Sequence, residues 1–133
     1  MRSMEDGVMD LGWLDEMSGE ARMEVFRFLR GERRGFSAEL MREAQDQGGT
    51  EFKRRVLREM AKIPYGEARS YGELAEMAGY PRAARAVGTV CRNNKYPIII
   101  PCHRVVGSSG IGGYAFGLEM KRELLRREGV VFG

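Results

Sequence analysis

The sequence predicts an α+β fold, a mainly helical domain built on a winged helix-turn-helix-like unit and one short strand, with a short segment ahead of it. Three observations carry that prediction. Six stretches show apolar residues at helical spacing, or helix-capping residues at their starts. Two of those stretches are joined by a tight turn through Gly79 and Pro81, the outline of a helix-turn-helix. One β-branched run, Ile98-Ile99-Ile100, is bracketed by Pro97 and Pro101 and reads as a short buried strand.

Taken in order, Val8 to Leu14 reads as a short strand weakened by glycine. Arg22 to Arg30 places Met23, Phe26 and Leu29 at helical spacing. Ser37 to Gln45 places Leu40, Met41 and Ala44 on one side, behind Ser37 as N-cap. Gln47-Gly48-Gly49 marks the best boundary in the chain and divides residues 1–48 from residues 49–133. Thr50 then caps a helix to about Lys62 whose buried stripe is Phe52, Val56, Leu57 and Met60. Pro64-Tyr65-Gly66 breaks it. Ser70-x-x-Glu73 is a capping box that opens a helix through Ala78, ended by Gly79.

The next helix runs from Pro81 to about Asn93. Ala83, Ala84, Ala86 and Gly88 strip it of bulk, so Arg82, Arg85 and Arg92 project from a low surface. That pattern fits tight packing on a neighbour as well as a helix seated on a nucleic-acid groove. A glycine and serine loop covers 107–113. The last helix runs from Leu118 to about Glu128, with Leu118, Leu124 and Leu125 inward, and closes at Gly129.

The net charge of +3 hides an asymmetry: residues 1–48 carry −4 and residues 49–133 carry +7, and 18 of the 22 basic residues are arginine. An arginine-rich face suits bidentate contacts to phosphate, although solvated helix faces give the same balance. The longest apolar run is far short of a membrane span, and Glu5, Asp6 and Asp10 stand where a secretory leader needs basic residues. The expectation is a cytoplasmic protein with reduced thiols and no membrane partner.

Two cysteines and one histidine without paired ligand spacing predict no metal and no cofactor. Cys102 is followed at once by that histidine, His103, and then by Arg104. Thiolate is the nucleophilic form of cysteine, and a nearby base or cation favours it. Cys91, on the alanine-rich helix, reads as buried filler. A papain-like protease fits poorly, since its histidine lies far from its cysteine and this chain has no second one.

Ile98 to Val106, centred on Pro101-Cys102-His103-Arg104-Val105, resembles the active-site signature of the O6-alkylguanine-DNA alkyltransferases. Ile63-Pro64-Tyr65-Gly66-Glu67 with Ser70-Tyr71 resembles that family's entry into its helix-turn-helix, and Ala83-Ala84-Arg85-Ala86-Val87-Gly88 its DNA-contacting helix. Gly113-Tyr114, Gly117-Leu118, Lys121 and Glu128-Gly129 resemble its closing loop and helix, so the likeness covers residues 49–133.

The resemblance implies a monomeric repair protein that binds double-stranded DNA through the minor groove. Cys102 would take the alkyl group from O6 of an extruded guanine, once per molecule. Flipping is required because a thiol cannot reach that carbon inside the stack. Arg85 matches the residue that fills the vacated place, with Ala83, Ala84 and Arg92 on the same DNA-contacting helix. Tyr71 matches the hydroxyl donor to the departing base. The carbonyls of Cys102 and Val105 and the N–H of Ala115 match the groups that read the guanine edge, and Tyr114 matches a pocket wall. His103, through a water and held by Glu128, would deprotonate Cys102, and Asn94 would tie the active-site turn to the recognition helix.

Three features depart from the pattern. Lys95 stands where proline usually follows the asparagine. Phe116 stands where glycine is common, which predicts a narrowed site that disfavours bulky adducts such as benzyl. The N-terminal region is shortened relative to the family's α/β domain. Two rivals share the outline: a non-catalytic alkyltransferase-like damage binder, which lacks the cysteine, and a winged-helix regulator, which needs no Pro-Cys-His-Arg.

Overall fold

The computed structural model describes residues 11–130. Six α-helices and two very short strands account for half of it: α1 (Gly19–Leu29), α2 (Ala38–Gln45), α3 (Glu51–Ala61), β1 (Arg69–Ser70), α4 (Tyr71–Met77), α5 (Ala84–Arg92), β2 (Val105–Val106) and α6 (Leu118–Arg127). Two 3-10 turns, Gly12–Glu16 and Cys102–Arg104, complete the order.

Side-chain caps set four of the helix starts. Ser18, Ser37, Thr50 and Ser70 each accept a hydrogen bond from the backbone N–H three residues on, and Ser70 with Glu73 forms the reciprocal capping box. On α3 the predicted stripe is the buried one: Val56, Leu57 and Met60 are fully enclosed. Each contributes about 1.5–3 kcal/mol relative to exposure. Phe52 is half-buried and meets the Tyr80 ring edge-on, which pins α3 to the turn between α4 and α5.

Several expectations change. Residues 8–10 of the expected first strand lie outside the described residues, and Gly12–Glu16 is a 3-10 turn instead. It folds that way because it delivers Leu14 and Met17 into the core. Helix α1 buries Ala21, Val25, Phe28 and Leu29, whereas Met23 is exposed, so the true stripe is rotated from the predicted one. Helix α5 starts at Ala84 rather than Pro81, because the Tyr80 carbonyl takes the Ala83 N–H and closes a turn first. Leu118 faces solvent; the inward stripe of α6 is Met120, Lys121, Leu124 and Leu125.

The isoleucine run is the main correction. Residues 97–100 form overlapping turns, not a strand: Ile99 N–H bonds to the Pro97 carbonyl, Ile100 N–H to that of Tyr96, and Cys102 N–H to that of Ile100. All three isoleucines are buried, yet Ile98 adopts φ +73°, a left-handed conformation that β-branched residues rarely accept. Strand β2 instead begins after the turn, and pairs in parallel with β1, Arg69 opposite Val105 and Ser70 opposite Val106. That pairing docks the start of α4 beside Cys102. One buried cluster, from Leu14 and Val25 through Val56 and Leu74 to Ile100 and Leu124, takes residues from both sides of Gly48-Gly49.

Candidate active site

Cys102 opens the one-turn 3-10 helix and is 2% exposed. Asn94, also buried, organises the turn that carries it. Its Nδ2 donates to the Ile100 carbonyl at 2.8 Å and to Cys102 Sγ at 3.2 Å. Its Oδ1 accepts from Gln47 Nε2 at 2.8 Å and from the Tyr96 N–H at 3.2 Å. Burial pushes the Cys102 thiol up, while the Asn94 hydrogen bond, the nearby Tyr114 hydroxyl and the Lys121 ammonium pull it down. The Tyr114 hydroxyl is itself buried, and makes no well-aligned hydrogen bond to a protein group. Cys91 stays a thiol, pushed well up by burial and by Cys102 beside it.

Next to Cys102 in the chain, His103 meets Glu128 as the sequence predicts. His103 Nε2 lies 2.7 Å from Glu128 Oε2, with both side chains sealed from solvent. Burial lowers the His103 pKa against the pull of Glu128, so the imidazole is neutral at physiological pH. Nε2–H then donates to the carboxylate and Nδ1, bonded to no protein group, carries the basic lone pair. Burial would raise Glu128, but hydrogen bonds from His103 and Arg104 outweigh it and hold the carboxyl down at about 2. Arg104 bonds both carboxylate oxygens, at 2.8 and 3.0 Å, and the Gly66 N–H adds a fourth contact at 3.0 Å. Its remaining arm reaches the Ile63 carbonyl at 2.7 Å, so the end of α3 is tied into the same knot.

A cleft of about 630 Å³ lies between the start of α4, α5 and the loop at 113–115, lined by residues that include Tyr71, Ala84, Arg85, Arg92, Tyr114 and Ala115. Tyr71 Oη exchanges hydrogen bonds with the Gly113 backbone, accepting from its N–H at 3.3 Å and donating to its carbonyl at 3.4 Å. Gly112 makes that approach possible: a Cβ there would sit 2.8 Å from Tyr71 Oη, and its φ is +74°. Arg85 is exposed at the cleft, whereas Ala83, capping α5, is half-buried and not among its walls. Cys102 does not line the cleft either. Its thiol lies within electrostatic reach of three residues that do: Tyr71, Cys91 and Tyr114. Phe116 packs at 5.6 Å on the Tyr114 ring, so it shapes the pocket wall through that neighbour.

Three residues are more deeply engaged than their sequence context announces. Lys121 is fully buried, donates to the carbonyls of Val105 at 2.7 Å and Gly113 at 2.8 Å, and has its pKa lowered to about 8, chiefly by burial. The Val105 carbonyl, expected to read the guanine edge, is thus already bonded to Lys121. A signal for this was present: Lys121 stands three and four residues before Leu124 and Leu125, on the apolar stripe of α6. Arg104 is the second, two residues past Cys102 and bonded to Glu128 and the Ile63 carbonyl rather than to the thiol. Gln47 is the third, and no periodicity marks it. Among the described residues no cluster of metal-ligating side chains is found, and no helix is long and apolar enough to cross a membrane.

Residues 51–130 match the family 6-O-methylguanine DNA methyltransferase, DNA binding domain. A methylated-DNA–protein-cysteine methyltransferase of Mycobacterium leprae is 47% identical over 121 residues, which is 89% of this chain and 70% of the relative. The crystal structure of Mycobacterium tuberculosis OGT in complex with DNA superimposes with a TM-score of 0.72 at 41% identity, covering 82% of this chain and 66% of that one. The S. pombe Atl1 complex with damaged DNA is similar at a TM-score of 0.55 and 32% identity, over 64% of this chain and 82% of that one. This chain belongs to the O6-methylguanine-DNA methyltransferase family.

Proposed function

We propose that this protein repairs DNA by moving an alkyl group from O6 of guanine to its own Cys102, as a methylated-DNA–protein-cysteine methyltransferase acting once per molecule. The observation that carries the reading is the arrangement around one buried thiol. Asn94 donates to its sulfur, and its chain neighbour His103 is buried and bonded to Glu128. A neutral imidazole with an unshared lone pair is a base; an acceptor-only sulfur is stabilised by a donor.

In this reading residues 49–133 form the catalytic and DNA-binding domain, and residues 1–48 support it. Double-stranded DNA meets a monomer through its minor groove, with α5 against the duplex. Ala83 and Ala84 allow close approach, Arg85 fills the stack left by the extruded base, and Arg92 lies beside the cleft. The guanine enters between Tyr71 and Tyr114, its edge read by the Ala115 N–H and by the carbonyls of Cys102 and Val105, the latter through the lone pair that Lys121 leaves free. His103, through a water, takes the Cys102 proton. The sulfur forms a bond to the alkyl carbon as the carbon–O6 bond breaks, and Tyr71 supplies hydrogen bonding to the departing guanine. The thioether has no hydrolytic exit, so the reaction stops there. No cofactor takes part, and the cytoplasm is the proposed compartment.

Intact-mass measurement after incubation with an O6-methylguanine oligonucleotide tests this. One methyl gained per chain is expected, and none in Cys102→Ala. Tight binding of the lesion without mass gain would instead make the protein a damage binder, as would equal gain in Cys102→Ala make another residue the acceptor.

A further inference from the structure

The chain of hydrogen bonds that ends at Cys102 begins ahead of the helix-turn-helix region. We propose that Gln47 is a positioning residue for the transfer reaction, fixing the amide of Asn94 so that its NH2 rather than its oxygen faces the Cys102 sulfur. The functional consequence rests on the alkyl-transfer reading; the geometry does not.

Gln47 is 8% exposed, just past the end of α2. Its Nε2 donates to the Ala44 carbonyl at 3.0 Å and to Asn94 Oδ1 at 2.8 Å, and its Oε1 accepts from the Lys95 N–H at 3.0 Å. These partners admit one orientation. Turned over, the glutamine would set its oxygen against two acceptors and its NH2 against a donor. The same argument then passes to Asn94. Its oxygen is claimed by Gln47 and the Tyr96 N–H, which leaves Nδ2 for the Ile100 carbonyl and for sulfur. A reversed Asn94 would present an acceptor to the thiolate, itself an acceptor, and disfavour the reactive form.

Gln47 also holds the residue after Asn94 through the Lys95 N–H, a group that a proline at that position would lack. A side chain from the N-terminal segment thereby restrains both the asparagine and the turn that follows it. Besides its chain neighbour His103, the titratable groups within electrostatic reach of Cys102 are Cys91 on α5, Tyr71 on α4, Tyr114 in the loop and Lys121 on α6. Substitution at residue 47 leaves all four in place.

Gln47→Met keeps the length of the side chain and removes both polar ends. Thiolate absorbance near 240 nm, taken as the difference from the same protein carrying Cys102→Ser, reads Cys102 alone. The titration is expected to move to higher pH by about one unit. Methyl transfer should fall about tenfold below that range and recover as pH rises, with affinity for unmodified duplex unchanged. A folded Gln47→Met protein with unmoved titration and unmoved pH profile overturns the proposal, since a packing role alone predicts that result. If this variant fails to fold, Gln47→Glu decides. It keeps the length and the acceptor for Lys95 but, ionised, withdraws the donor from Asn94, so the same alkaline shift is expected and its absence overturns the proposal. Should the wild-type protein gain no methyl, the alkyl-transfer reading fails by itself, and the absorbance titration still decides the role of Gln47.

Discussion

Around Glu128 the side chains are buried and held by named partners; along the outer face of α5 the arginines stand in solvent. His103, Arg104 and the Gly66 backbone converge on one carboxylate that is closed to water. Arg85 and Arg92 lie exposed beside the cleft, and the contact of Arg92 to Thr89 is an exposed one on the same helix. The first region is complete before any substrate arrives. The second, in the proposed function, is completed only by a polyanion that brings its own charge. A buried ion pair is costly to half-dismantle, whereas an exposed arginine is cheap to remove for stability. The two regions should therefore fail in different currencies, one in folding and one in binding.

The sharpest break of that contrast is Glu128→Ala. It strands the Arg104 charge and the His103 donor in the interior, and a loss of about 3–5 kcal/mol is expected in urea unfolding. Methyl transfer should be lost with it. If stability held and only transfer fell, the carboxylate would belong to the chemistry rather than to the frame.

Acid should reproduce much of this without mutation. The folded Glu128 carboxyl is held at about 2, below its ordinary value of 4.5. A depressed carboxyl stabilises the folded state above its unfolded pKa, and that contribution drains away as pH falls from about 4.5 through about 2. A contribution on the order of 3 kcal/mol is expected, visible as a falling thermal midpoint in acid. Glu128→Gln should flatten that slope.

Arg85→Ala is the opposite experiment. Unfolding free energy should stay within about 0.5 kcal/mol of the parent. Repair in duplex should drop by about tenfold or more while reaction with the free modified base is spared, and the affinity for duplex should weaken as salt rises. Loss of both reactions together would place Arg85 in the chemistry.

The smallest effect is expected at Phe116. Phe116→Gly should leave stability and methyl transfer near the parent values and raise benzyl transfer about tenfold by opening the space beside Tyr114. Equal methyl and benzyl rates in the parent, with no gain in the variant, would remove Phe116 from the list of specificity residues.

Legibility in the sequence follows the range of the forces involved. Ser37, Thr50 and the Ser70–Glu73 box mark their helices because a cap is satisfied within three residues. The stripe of α3 is equally local in its logic. Ile98-Ile99-Ile100 misleads because β-branching expresses a preference of the residues alone, while the turn is imposed from elsewhere. Asn94 bonds the Ile100 carbonyl, Cys102 bonds back to it, and Ile98 is forced into a left-handed backbone that costs about 1–2 kcal/mol. The candidate site divides the same way. Cys102 and His103 stand out by adjacency, and Glu128 by resemblance. The burial of Lys121 follows from its place on a helix stripe. Gln47 could not be found, because its partner lies 47 residues away and nothing local anticipates the contact.

His103 is the chain's only histidine, and its ring is closed against Glu128. The protein therefore carries a single spectroscopic window onto its candidate active site. One imidazole Nε2–H, shielded from exchange, should give a lone low-field proton line in water with no second histidine to overlap it. No label or probe is needed to follow that line through acidification, duplex binding and thioether formation, each of which alters the ring's surroundings in a different way.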